Sequence, residues 1–157
     1  MEEPRLNIVC LSESHQKQAI NLMVKVFTLE QDVPADYLPV REHPQKSWGI
    51  WDKNELIALS IAWKEDDLWH WGRYAVDPDW RGKGLGKQLA YKSLKDLFDT
   101  GVEEIHIDAR DITLKLLSQF GAKVIGETFD FYGPVTPMRL YVRDFLACAG
   151  QGNIWKI

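Results

Sequence analysis

Apolar positions along this chain follow two rhythms, and the switches between them mark out the elements. Residues 6–11 form a short apolar run that predicts a strand, after which Ser12 or Ser14 offers an oxygen to cap a helix. Ala19, Ile20, Met23, Val24 and Phe27 return at helical spacing and carry that helix to residue 29. Three prolines and several charges over 33–44 predict a loop holding one helical turn. Strands follow over 47–51 and 55–64, joined by the turn residues Asp52-Lys53-Asn54. After the turn at Asp66-Asp67 comes a strand over 68–76, which Asp77-Pro78 ends because proline cannot donate to a ladder.

Leu85, Leu89, Ala90, Leu94, Leu97 and Phe98 then mark a helix over 84–99, stopped by Gly101. A strand over 103–108 turns Ile105 and Ile107 to one face, and a helix over 111–120 carries Ile112, Leu116 and Leu117 up to Gly121. Strands over 123–129 and 138–142, bridged by a loop over 133–137, complete the pattern. This order predicts an α/β fold, a mixed central sheet with helices on its faces. No repeat, low-complexity tract or linker divides the chain, so residues 1–149 read as a single domain and 150–157 as a tail.

Composition narrows the field. At 157 residues the chain can bury roughly 68–70% of its unfolded surface and needs no disulfide or metal staple. Nineteen Lys and Arg against 23 Asp and Glu give a net charge of −4, which argues against a general nucleic-acid binder. The acidic, proline-bearing start is no signal peptide, and apolar runs such as 57–63 are far short of a membrane span, so a soluble, cytoplasmic protein is expected. Cys10 and Cys148 make neither a disulfide framework nor a zinc site, and no metal is expected. Six of the seven tryptophans lie between Trp48 and Trp80, which core packing explains better than a ligand pocket.

The stretch with chemical content is Tyr74-Ala75-Val76-Asp77-Pro78-Asp79-Trp80-Arg81-Gly82-Lys83-Gly84-Leu85-Gly86-Lys87. A strand ends, a turn follows, and a glycine-rich bend opens an amphipathic helix. Gly82, Gly84 and Gly86 strip Cβ atoms from the approach, baring backbone N–H groups where the helix dipole is positive. Arg81, Lys83 and Lys87 add three cations at the same point, so a phosphate or pyrophosphate is the expected guest. The Walker-A spacing is missed by one residue and Gln88 replaces its hydroxyl; the dinucleotide fingerprint fails because the third glycine comes early. The plain alternative is a helix entry softened by glycines, which does not explain three clustered cations.

Val76-x-Pro78-x-x-Arg81-Gly82-x-Gly84-x-Gly86 resembles the acetyl-CoA-binding motif of the GNAT (Gcn5-related N-acetyltransferase) superfamily, and the element order matches that family's over most of the chain. Val26-Phe27-Thr28-Leu29-Glu30-Gln31 and Gly72-Arg73 further resemble the ElaA-like branch, although its G-I-P-H-x-x-M run stands here as 133–138 without the histidine. The resemblance implies a mostly antiparallel sheet, splayed at the CoA-binding strand. It implies acetyl-CoA as cosubstrate, with the pyrophosphate on the backbone of Arg81, Gly82, Lys83, Gly84, Leu85 and Gly86, beside Lys87, and with the pantetheine arm along Tyr74 and Val76. Trp80 would cover the adenine side. The acceptor would be a small-molecule or peptide amine attacking the thioester directly, with His70, six residues before Val76, as general base. Strict alternation would put His70, Gly72, Tyr74 and Val76 on one face, unless a bulge intervenes. His106 reads as structural, and His15 and His43 as surface residues.

The family's tyrosine four residues before a glycine, which protonates the departing thiolate, is replaced by Leu117; Tyr132 or Tyr141 stands in as candidate. Without one, CoA leaves as a thiolate, or the protein is a catalytically weak acyl-CoA-binding module acting as sensor or partner subunit. Glu30, Asp32, Asp36 and Glu42 crowd the loop that roofs the acceptor site in this fold; they either attract a cationic amine or form a solvated charge run. So small a core leaves acceptor choice to its own loops or to a second copy in a homodimer.

Overall fold

The structure, a computed structural model, describes residues 7–149. Strands β1 (Ile8–Cys10), β2 (Gln45–Asp52), β3 (Glu55–Glu65) and β4 (Leu68–Val76) are antiparallel neighbours in an eight-stranded sheet. β5 (Glu104–Ala109) lies parallel to β4, and β8 (Pro134–Tyr141) antiparallel to β5. The short strands β6 (Lys123–Val124) and β7 (Phe129–Asp130) both pair with β8. Helix α1 (Gln16–Met23) covers one face, while α2 (Leu85–Asp99), α3 (Asp111–Gln119) and α4 (Val142–Ala149) cover the other. The parallel pair needs a long crossover, and α2 supplies it. The mixed, mostly antiparallel sheet with helices on both faces is as expected.

Each face has its own core. On the α2 side Leu89, Leu94, Leu97, Ile105, Leu117 and Phe145 are buried almost completely, each contributing about 2 kcal/mol of apolar burial. Trp48 and Trp71 belong here too. Their indole N–H groups donate to Asp96 Oδ2 at 3.0 Å and Ser93 Oγ at 2.9 Å, both on α2, so neither ring buries an unpaired donor. On the α1 side Leu22, Met23, Val26 and Leu38 pack on Leu59 and Ile61.

α1 runs on into a single π turn, Val24–Thr28, where Leu29 N–H reaches back to Val24 O at 3.0 Å. An α-helix would set Lys25 and Glu30, five apart, well off one another's face. The extra residue in the turn brings both to the segment after β4. Lys25 Nζ lies 2.7 Å from Asp77 Oδ2, and Glu30 takes a two-pronged bond from Arg81 at 2.7 and 2.9 Å. Asp77 also accepts from Asp79 N–H at 3.0 Å. Burial of Asp77 would raise its carboxyl, but the bonds from Lys25 and the Asp79 amide, with the Lys25 and Arg81 charges, leave it below its ordinary value. At the other end of this turn, the Tyr74 hydroxyl occupies the space a Cβ on Gly86 would need, so the last glycine of the motif is a packing requirement.

Three expectations from sequence are corrected by the fold. The loop over 133–137 is largely the start of β8: Pro134 is its first residue, where no donor is needed, and Pro137 falls between the β6 and β7 pairings. The strand over 123–129 is two dipeptide strands, broken at Gly126, whose missing Cβ would lie 3.0 Å from Pro137. Val142 ends no strand but begins α4, whose Phe145 joins Tyr91, Phe98 and Phe120 in an aromatic cluster. The tail over 150–157 lies outside the described residues.

Asp77→Asn is expected to lose about 2 kcal/mol at neutral pH, the worth of a charged hydrogen bond to a buried group. Because the Asp77 carboxyl is depressed in the folded chain, its contribution is present above its ordinary value of 3.8 and fades as pH falls below it. The variant's Tm should therefore fall less steeply than the wild type's between about pH 5 and about pH 3. Gly86→Ala should destabilise through overpacking of about 1–3 kcal/mol, more than the roughly 1 kcal/mol alanine gains over glycine in a helix. Urea melts of Gly86→Ala with Tyr74→Phe should recover part of that loss, since the obstructing hydroxyl is gone.

Candidate active site

The site begins with a ladder that stops. β4 and β5 pair only at Trp69 with Ile105 and His70 with His106, although β4 runs on to Val76 and β5 to Ala109. Beyond that point the two strands face each other without a bond, and the sheet opens as a V with His70 and His106 at its apex. This is the splay expected at the CoA-binding strand.

One residue breaks the alternation of β4. Its register against β3 shifts between Leu59 paired with Ala75 and Ile61 paired with Gly72, and Arg73 takes up the extra residue at φ 50°. His70 and Gly72 therefore lie on the α1 face, where His70 stacks on Trp63 at 5.8 Å between centroids and Gly72 abuts the same indole. Tyr74 and Val76 lie on the α2 face, with Tyr74 5.3 Å from the Trp71 ring. Strict alternation would have put His70, Gly72, Tyr74 and Val76 on one face; the bulge that breaks it is present and splits them between two. Burial pushes the Tyr74 hydroxyl well above its usual range.

Below the opening on the α2 side lies the glycine loop. Gly82 and Gly84 both sit at φ 79°, a left-handed conformation natural to glycine, and Gly84 caps α2. The first bond into the helix ladder is Gln88 N–H to Gly84 O at 3.2 Å, so the amides of Leu85, Gly86 and Lys87 precede it at the positive end of the dipole. Lys83 Nζ lies over the Trp80 ring at 5.6 Å. The Arg81 side chain points elsewhere: its Nε donates to Val76 O at 3.0 Å and its fork grips Glu30. The Glu30 bond raises the Arg81 guanidinium further. Arg81 therefore braces the loop against the turn that follows the π turn, and Glu30 is engaged in that brace.

On the α1 face His70 contacts the His106 ring at 5.9 Å, and His106 Nε2 lies 3.0 Å from Glu104 Oε1. Tyr132 stands half exposed at the mouth of the V, its ring near Tyr37 and Phe131. Tyr141 sits opposite Glu104, at the closed end of β5 and beneath the Arg139 and Arg143 guanidiniums. Leu117 is completely buried in the α2-side core. His15 helps cap the turn before α1, and His43 is exposed.

Two arginines have roles the sequence does not announce: Arg73, which enters there only through the Gly72-Arg73 resemblance, and Arg110. Arg73 donates from Nε to Leu38 O at 2.9 Å and from its terminal nitrogen to Tyr37 O at 3.0 Å, with its guanidinium over Trp63. Arg110, at the N-cap of α3, donates to Phe131 O at 2.9 Å and Tyr132 O at 3.2 Å. Burial draws both guanidiniums below their usual values. No spacing announces either residue, because their partners are loop carbonyls. Among the described residues no cluster of His, Cys, Asp or Glu is placed to hold a metal, and no helix is long and apolar enough to cross a membrane.

Comparison with known proteins places this geometry. Residues 11–121 match the model of the acetyltransferase (GNAT) family. No curated protein matches the chain by sequence. Among solved structures, Escherichia coli ElaA superposes with a TM-score of 0.78 at 23% identity, over 86% of this chain and 99% of its own. An acyl-CoA N-acyltransferase from Pseudomonas aeruginosa gives 0.76 at 18% identity, over 86% and 99%. The PaiA N-acetyltransferase of Thermoplasma acidophilum, solved with coenzyme A, gives 0.67 at 16% identity, over 88% and 99%. At these identities the structures speak for the fold, while the family model covers most of the chain: with its split sheet and glycine-lined helix start, the chain belongs to the GNAT acetyltransferase family.

Proposed function

We propose that this protein is an acetyl-CoA-dependent N-acetyltransferase acting on a primary amine. The observation that carries the reading is the unpaired stretch of β4 opening beside the N-terminus of α2. Unpaired backbone in a sheet needs a partner, and the amide-bearing pantetheine arm has the donors and acceptors to run along it. Tyr74 and Val76 offer backbone groups to that arm, and the loop from Arg81 to Gly86, with Lys83 and Lys87, takes the pyrophosphate. Arg81 contributes by holding the loop in place through Glu30 rather than by lending its own charge.

The chemistry then falls within the opening, between its apex and its mouth. An amide N–H of β4 beyond the bulge faces the thioester carbonyl and stabilises the charge that develops on its oxygen as the amine attacks. The amine nitrogen forms the new C–N bond, the C–S bond breaks, and CoA departs as thiolate. His70, on the α1 face and held flat against Trp63, takes the proton from the attacking amine. Tyr132, at the mouth, is the candidate to return a proton to sulfur; water is the alternative source. A second reading, a CoA-binding module with little turnover, is favoured by the burial of Leu117, which puts no proton donor on α3 at that place. A domain over 1–149 accounts for the whole reaction, with no metal and no nucleic acid; an acceptor site completed by a second copy is compatible with it.

Calorimetry should show saturable binding of acetyl-CoA; no binding at millimolar ligand would remove the reading. Thiol release against polyamines, aminoglycosides, amino acids and peptide amines separates the two proposals, since steady turnover with any amine excludes the module. His70→Ala is expected to lower kcat by about 100-fold with KM for acetyl-CoA unchanged. An unchanged kcat would take His70 out of the mechanism.

A further inference from the structure

We infer that the Tyr74 hydroxyl binds ligand: from beneath the first turn of α2 it donates a hydrogen bond to the diphosphate of coenzyme A, beside the backbone amides of the glycine loop. The inference rests on the acetyl-CoA reading for its ligand, and adds a side-chain contact at a residue assigned there only through its backbone.

Tyr74 lies on the α2 face of β4, past the bulge, with its ring against the α2-side core and 5.3 Å from that of Trp71. Its hydroxyl ends against Gly86, the second residue of α2, in the place a Cβ would take, and a Val76 methyl lies 3.1 Å from the same place. On a helix the Cα–Cβ bond tilts toward the N-terminus. The hydroxyl therefore sits on the open side of Gly86, at the end of α2 where the amides of Leu85, Gly86 and Lys87 come before the helix ladder begins. The Arg81 fork is turned to Glu30 and supplies no donor at this point.

The fold makes no use of this oxygen. Among the described residues it has no hydrogen-bonding partner, and burial alone shifts the phenol, upward. It therefore stays protonated at neutral pH, a donor without charge. Phenylalanine would place the same ring against the same core. Tyrosine instead requires glycine at position 86, inside a helix where alanine is the better former. A donor with no internal partner and a glycine that makes room for it are two departures from local preference at one point, and such departures gather at functional sites. An anion at the helix start answers both, since phosphate oxygens accept several hydrogen bonds and those to a charged acceptor are the strong ones.

Tyr74→Phe deletes the oxygen and keeps the ring. Calorimetry on the variant should show acetyl-CoA bound at least about tenfold more weakly, the loss of a hydrogen bond to a charged group. Phosphorus NMR of the saturated complexes should show the diphosphate resonances shifted between wild type and variant, with the resonance of the ribose phosphate unmoved. The ligand-free variant should melt at or above the wild-type Tm, because no internal bond is lost. Unchanged affinity overturns the inference. So do diphosphate resonances that coincide in the two complexes, which would put the hydroxyl elsewhere on the ligand. A lowered Tm without ligand also overturns it, since the fold would then be using the oxygen. If the wild type binds no acetyl-CoA, the transfer reading goes and this contact with it, while the Tm comparison still judges the oxygen's part in the fold.

Discussion

Two residue pairs, Trp69 with Ile105 and His70 with His106, are all the ladder β4 and β5 share, and the rest of the site follows from where it stops. A sheet interior is a poor place for unpaired backbone, since each buried amide or carbonyl left without a partner costs free energy. The fold tolerates the gap because both strands are held from outside: β4 by its long pairing with β3, and β5 by β8. The gap is therefore a rigid slot with polar walls. Its shape is set by pairings that a ligand does not have to make.

The bulge at Arg73 then divides the labour between the two faces of that slot. Before it, side chains of β4 alternate with His70 and Gly72 on the α1 face; after it, Tyr74 and Val76 turn to α2. One inserted residue thus separates the imidazole from the glycine-lined start of α2 by the thickness of the sheet. Under the proposed transfer, that separation lets the two reactants arrive from opposite sides of it. It also gives Arg73 its outward reach, because a residue in regular alternation would be committed to one core or the other.

Much of this was legible in the chain. The glycines over 81–87 marked the bend that opens α2, the 3.6-residue repeat marked α2 itself, and the turn pairs marked the hairpins, since each is a local signal with a local cause. What stayed hidden depends on contacts distant in sequence. The strand containing two prolines was unreadable because tolerance of Pro137 depends on where β6 and β7 stop pairing. In the sequence Arg81 is charge for a phosphate, while its fork is turned to Glu30, fifty-one residues away. The clamping roles of Arg73 and Arg110 carry no signal in the sequence, although Gly72-Arg73 enters a resemblance, because carbonyl partners have no residue type. The splitting of β4 into two faces was open in the sequence as a conditional, and only the register against β3 decides it.

The π turn over Val24–Thr28 has a further consequence. Lys25 and Glu30 reach Asp77 and Arg81 together only because one extra residue is wound into the helix between them. The segment consequently measures length. Exchanging its exposed side chains between the anchors leaves the two contacts in phase, whereas deleting a single residue would restore α-helical winding and rotate one anchor off its partner. A lineage of such chains would keep the length of this stretch, its two anchors and the apolar character of Val26, and vary only at its exposed positions.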